Sequence, residues 1–146
     1  GSTKLCNGPS DCTSGVCTGG VCQAPTCSDK VKNGNETGTD CGGPQCGKCS
    51  DDETCGSATD CLSGVCTGGV CKAPTCADNV KNQDESDKDC GGAVCPKCDA
   101  PKTCNAPSDC TSGVCTGGVC QAPTCGDNVK NGNETGKDCG GCNSCG

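Results

Sequence analysis

Almost all the reactive side chains of this chain are thiols: 24 of its 146 residues are cysteine, and histidine is absent. They fall into three sets of eight at a 49-residue period, opened by Cys6, Cys55 and Cys104. In the first set Cys12, Cys17, Cys22, Cys27, Cys41, Cys46 and Cys49 follow Cys6, and the later sets keep closely matching offsets. Three chemistries are open to such a pattern: disulfide crosslinking, thiolate binding of a metal, and redox exchange. An even number in every unit favours crosslinking, because each thiol then has a partner within its own repeat. In a reducing cytosol two dozen thiols would hold nothing together, so the chain is expected in an oxidising space, extracellular or at a cell surface.

The other two chemistries find less support. Cys46-x-x-Cys49 and Cys95-x-x-Cys98 have the spacing of redox dithiols and zinc knuckles. A redox site would bring a βαβ context, which the sequence does not offer. A thiolate metal store is the rival for a chain without aromatics, but there is no Cys-x-Cys. Clustered thiolates would also add negative charge to a chain already at −7, with only 11 Lys to balance it. Catalysis is not expected. Carboxylate pairs such as Glu36 and Asp40 are present, yet acid–base work needs a cleft that tunes their pKa values.

The oxygen-bearing residues collect in a polar loop that closes each repeat. Asn35-Glu36-Thr37 and Asn133-Glu134-Thr135 match the acceptor for N-linked glycan, with glycines on both sides; repeat two reads Asp84-Glu85-Ser86 instead. Thr26, Thr75 and Thr124, each following Ala-Pro, are candidate O-glycan positions. The 12 residues from Asp29 to Asp40 carry oxygen ligands and a Gly at calcium-loop positions, although Val31 occupies a ligand position and no helix pattern flanks them. An oxygen cage for Ca²⁺ would draw on Asp29, Asn33, Glu36 and Asp40, then Asp78, Asn82 and Asp89, then Asp127, Asn131, Glu134 and Asp138. The alternative is a solvated, hydrogen-bonded loop.

The elements that hold these residues must be small. The chain has no Phe, Trp, Tyr, Met, His, Ile or Arg; beyond Cys and Ala its apolar side chains are ten Val plus Leu5 and Leu62. Burying a Val or Leu contributes about 1.5–3 kcal/mol, whereas ordering each residue's backbone costs about 1–2 kcal/mol, so crosslinks must supply the deficit. Val16-Cys17-Thr18-Gly19-Gly20-Val21-Cys22 predicts a hairpin, recurring at Val65–Cys71 and Val114–Cys120 and ended by the Pro that follows. In this half the spacing leans towards interlocked Cys6–Cys17 and Cys12–Cys22 bonds; eight cysteines allow 105 pairings, and the pairing of the other four is not readable. The predicted fold is a set of small disulfide-rich repeat modules, mostly loop with short β-hairpins and no substantial helix. The repeats are 1–49, 50–98 and 99–146. Five residues separate Cys49 from Cys55, which predicts a stiff, rod-like tandem array of modules ~25 Å across.

Charge divides unevenly. Repeat one is neutral, repeat two stands at −5 and repeat three at −2. Without Arg or stacking aromatics, nucleic-acid binding is not expected, and no apolar run approaches a membrane span. Lacking an initiating Met and a signal segment, the sequence reads as a mature or excised piece of a longer secreted chain.

Two motifs together, Cys-x5-Cys-x-Ser-Gly-x-Cys-x2-Gly-x-Cys and Cys-x-Asp-x-Val-Lys-Asn-x2-Glu-x3-Asp-Cys-Gly-Gly, resemble a tandem cysteine-rich repeat of large secreted or surface proteins of microbes. The resemblance covers essentially the whole chain and implies extracellular architecture, such as a fibre or hair component. From Cys6 to Gly43, repeats one and three differ at only four positions, and near-equal modules suit self-association along an axis. The expected function is a disulfide-stapled, glycosylated structural protein of a filament or matrix. The alternatives are a calcium-dependent adhesion module facing a glycan or surface partner, and thiolate metal storage.

Overall fold

The computed structural model describes residues 4–141. Each repeat begins with a single 3₁₀ turn, at Pro9–Asp11, Ala58–Asp60 and Pro107–Asp109. An aspartate closes each turn by accepting backbone N–H groups from the residues that enter it: Asn7 and Gly8 give to Asp11 at 2.7 and 3.2 Å, Gly56 and Ser57 to Asp60 at 2.8 and 3.0 Å. Free N–H groups at a helical start need such an acceptor, and a carboxylate is a strong one.

A two-residue antiparallel hairpin follows in each repeat. β1 (Cys17–Thr18) pairs with β2 (Val21–Cys22), β3 (Cys66–Thr67) with β4 (Val70–Cys71), and β5 (Cys115–Thr116) with β6 (Val119–Cys120). The turn between β1 and β2 requires Gly19 and Gly20, whose φ angles of 60° and 76° lie in the left-handed region. Two successive positive φ angles match the right-handed twist of the strands they join. The chain entering the repeat adds one more bridge, Leu5 to Val21, repeated as Thr54 to Val70 and Thr103 to Val119. Hairpins this short are marginal by themselves.

Crosslinks hold them. Cys6 is bonded to Cys17 and Cys12 to Cys22, the interlocked arrangement expected from the spacing. The loop half is closed by Cys27–Cys46 and Cys41–Cys49. Repeat two copies all four bonds, and repeat three copies the first two as Cys104–Cys115 and Cys110–Cys120. Cys125 and Cys139 are also disulfide-bonded, and no described cysteine is free.

Cystine replaces the usual core. Every buried apolar residue among those described is a cysteine, while Leu5, Leu62 and Val94 are 86, 65 and 68 % exposed. The chain divides into two compact units, Gly1–Pro74 and Thr75–Gly146. In the first, Cys49, Cys55, Cys61 and Cys71 form one buried cluster with Cys41 and Cys66 packed against it. In the second, Cys90, Cys98, Cys104, Cys110 and Cys120 do the same, with Cys115 alongside. Covalent bonds and packing are therefore out of step. The ten disulfides with both ends described stay inside one 49-residue repeat, but each cluster joins the end of one repeat to the start of the next.

Candidate functional site

Two sites recur with the repeat: the closing loop and the joint between consecutive repeats. The loop begins at Asp29, whose carboxylate accepts from Thr26 N–H at 2.8 Å, Val31 N–H at 3.0 Å and the Asn33 side-chain amide at 3.1 Å. Those bonds, that from Thr26 first and that from Asn33 next, hold its pKa below the ordinary carboxylate value against a small opposing effect of burial. Asp127 has the same partners in Thr124, Val129 and Asn131, and Asp78 has them in Thr75, Val80 and Asn82. Asp40 accepts from Lys30 N–H at 3.0 Å; Asp89 and Asp138 do so from Asn79 and Asn128. Glu36 takes the Asn33 N–H at 3.0 Å, and Glu85 and Glu134 take the N–H groups of Asn82 and Asn131.

These carboxylates therefore act on the backbone of their own loop. Asn33 donates its amide to Ser14 O and to Asp29, tying the loop half to the hairpin half. Among the described residues, the groups of three or more close metal-ligating side chains all contain at least two cysteines, and none unites Asp29, Glu36 and Asp40. The cysteine sulfurs in those groups are in disulfides and carry no thiolate. Helices do not flank the loop; its carboxylates face N–H donors of the loop's own backbone, while Asn33 Oδ1, Asn131 Oδ1 and Glu134 Oε1 are buried without a hydrogen-bond partner. The Cys-x-x-Cys pairs are likewise divided between bonds: Cys46 goes to Cys27 and Cys49 to Cys41.

Asn35 and Asn133 sit at the exposed tip of the loop. The Cys-Gly-Gly segment braces that tip from behind. Gly43 has φ 71°, and a Cβ there would collide with the Asn35 carbonyl oxygen; Gly141 stands in the same relation to Asn133. In repeat two Asp84 uses its carboxylate locally, accepting Ala93 N–H at 2.6 Å. Thr26, Thr75 and Thr124 are exposed as well.

The joint escaped the sequence reading. At the first joint Cys49 N–H donates to Asp60 O at 2.6 Å and Leu62 N–H to Cys49 O at 2.9 Å. Gly43 N–H donates to Asp60 Oδ1 at 3.1 Å, and Thr54 Oγ1 donates to the Thr37 carbonyl. The second joint repeats each bond, with Cys98 and Asp109 at 2.6 Å, Thr111 and Cys98 at 2.9 Å, Gly92 and Asp109 at 3.2 Å, and Thr103 to the Ser86 carbonyl at 2.6 Å. Asp60 is thus both the lock of its own 3₁₀ turn and an acceptor for the preceding repeat. Its pKa is lowered by the N–H groups of Gly56 and then Gly43, that of Asp109 by those of Asn105 and then Ala106, with Gly92 adding to it. The available signal was an Asp immediately before the second cysteine of all three repeats, at Asp11, Asp60 and Asp109.

Fold and sites define a class: a cysteine-rich repeat protein in which disulfides form the core and aspartates fasten one repeat to the next. Comparisons with protein-family models, curated proteins and solved structures found no match to the chain. The disulfide density points to an oxidising, extracellular or secreted environment. Among the described residues no helix is long and apolar enough to cross a membrane.

Proposed function

We propose that this chain is a structural, glycan-bearing repeat protein of an extracellular filament or matrix. The observation that carries the reading is the repeated joint. The same four hydrogen bonds and the same cystine cluster link repeat one to two and repeat two to three, a contact suited to unlimited repetition along an axis. The exposed acceptor loops support the glycan part, since Asn35 and Asn133 stand clear of the hydrogen bonds that build the loop. The resemblance to tandem repeats of microbial surface proteins agrees with this role, and the reading assigns no catalytic step. The test is the intact mass of native, unreduced protein, followed by electron microscopy. A mass about 24 Da below that of the fully reduced polypeptide, plus sugar-sized increments, and regular fibres are expected. Free thiols carrying metal would overturn it.

A further inference from the structure

The glycan acceptor of repeat one and the first joint share a residue. Asn35 is exposed at the tip of its loop, whereas the hydroxyl of Thr37, two residues on, is buried. Thr37 N–H donates to Cys41 O at 3.2 Å, and its carbonyl accepts the Thr54 hydroxyl of repeat two. Gly42 backs so closely on Thr37 Oγ1 that a Cβ there would collide with it. A Cβ on Gly56 would meet the Thr37 methyl group at 3.2 Å, so repeat two packs against the side chain as well. Ser86 fills the same place at the second joint. It is 1 % exposed, its Oγ lies 3.6 Å from Cys98 Sγ, and its carbonyl accepts from Thr103 at 2.6 Å. The third position of the tripeptide is thus a joint position in repeats one and two.

Transfer of an N-linked glycan joins Asn35 Nδ2 to the anomeric carbon of a sugar carried on a lipid phosphate. The C–O bond to the phosphate breaks and its electron pair leaves with the phosphate, while the amide proton passes to the transferase's base. The enzyme selects its acceptor by the hydroxyl of the third residue, which it must hold as the asparagine enters its catalytic centre. In the folded repeat the two groups are divided, Asn35 towards solvent and the Thr37 hydroxyl into the joint. The backbone between them is held from turning Thr37 outward. Glu36 N–H donates to Asn33 O at 3.1 Å and the Glu36 carboxylate takes Asn33 N–H at 3.0 Å. The Cys41–Cys49 bond then anchors the segment that follows, and Cys49 is fully buried in the cystine cluster of the joint.

We propose that the joint sets the order of modification and folding: Asn35 accepts its glycan only before Cys41–Cys49 closes and repeat two docks on Thr37. The substrate is the reduced, open chain, and the folded repeat is closed to the transferase. A sugar already in place leaves from the exposed side of Asn35, so the joint forms behind it unhindered. A chain that folds first keeps Asn35 bare. This inference rests on the glycan reading above and adds the form of the chain that is modified.

Asn133→Gln leaves Asn35 as the one Asn-x-Ser/Thr acceptor of the chain and gives the substrate for the test. The full-length variant, oxidised in one sample and reduced and alkylated in another, is incubated with a purified oligosaccharyltransferase and a lipid-linked sugar donor. A short Asn-Glu-Thr peptide added to both samples reports that the enzyme is active in each. Peptide mass mapping is expected to find sugar on Asn35 of the reduced chain and its loss from the oxidised chain, with the added peptide modified in both. Equal modification of the two forms would overturn the inference and leave the glycan reading standing. A reduced chain left bare beside a modified peptide would overturn both.

Discussion

At the scale of single residues, aspartate does the work that apolar side chains do elsewhere. With no aromatic ring to bury, the chain satisfies its turns by aiming carboxylates at backbone N–H groups, each bond strengthened by the full charge of its acceptor. That mechanism is sensitive to acid. The folded pKa values of Asp60 and Asp109 are depressed, so their contribution is complete above the ordinary carboxylate pKa of about 3.9 and is lost as pH falls through the lower folded values. The Gly43 and Gly92 amides, donors to those two carboxylates, should keep their chemical shifts from neutral pH down to about 4. They should move at lower pH, reversibly, because the disulfides survive acid. Amide spectra that stay constant through strong acid would show that these carboxylates do not hold the joints. Removing the acceptor should act alike at neutral pH: in Asp60→Ala, hydrogen exchange at Gly43 should accelerate while that at Gly92 stays unchanged.

At the scale of elements, the hairpins and the Cys-Gly-Gly segments solve one problem, reversing the chain without a core to fold against. Gly92 is the sharper case. Its φ of 73° disfavours any side chain, and a Cβ would strike the Asp84 carbonyl oxygen. Gly92→Ala should destabilise its unit by about 1–3 kcal/mol through left-handed strain and this collision. It should also raise the fraction of scrambled pairs after oxidative refolding, with Cys90–Cys98 the first bond lost. Peptide mapping of the refolded variant decides the point, and native pairing at unchanged thermal stability would refute it. The corresponding hairpin glycine Gly117 has open space around a Cβ, so Gly117→Ala bears only the strain of its φ of 61°.

At the scale of the whole chain, stability is covalent. A disulfide acts mainly by limiting the unfolded ensemble, at about 2–5 kcal/mol for a native bond in a small secreted domain. Cys61 and Cys71 are fully buried at 0 % and lie in the cluster that joins repeats one and two. Replacing both by Ala should therefore cost more than the crosslink alone, because the joint loses its packing as well. Limited proteolysis is expected to cut between Cys49 and Cys71 in that variant while 75–141 resists, in line with the division into two units. Full reduction should leave a chain without regular structure by circular dichroism, since ten valines and two leucines cannot offset the ordering entropy.

The sequence by itself determined the class of fold, the three-fold repeat, the Gly-Gly hairpins and the interlocked first pair of disulfides. Each of these is written locally, in turn residues and in cysteines that recur at five-residue spacing. Exposure of the Asn35 loop was legible for the same reason, because Asn, Gly and Thr in succession build a turn wherever they stand. The pairing of Cys27 with Cys46 and Cys41 with Cys49 was decided only by tertiary structure. So was the use of Asp29 and Glu36 as backbone acceptors, a donor-by-donor matter that composition cannot distinguish from a ligand set. The joint was the least legible of all. Its bonds pair Gly43 with Asp60 and Cys49 with Asp60 across a repeat boundary, and a period read along the chain aligns like residues without revealing which unlike ones meet.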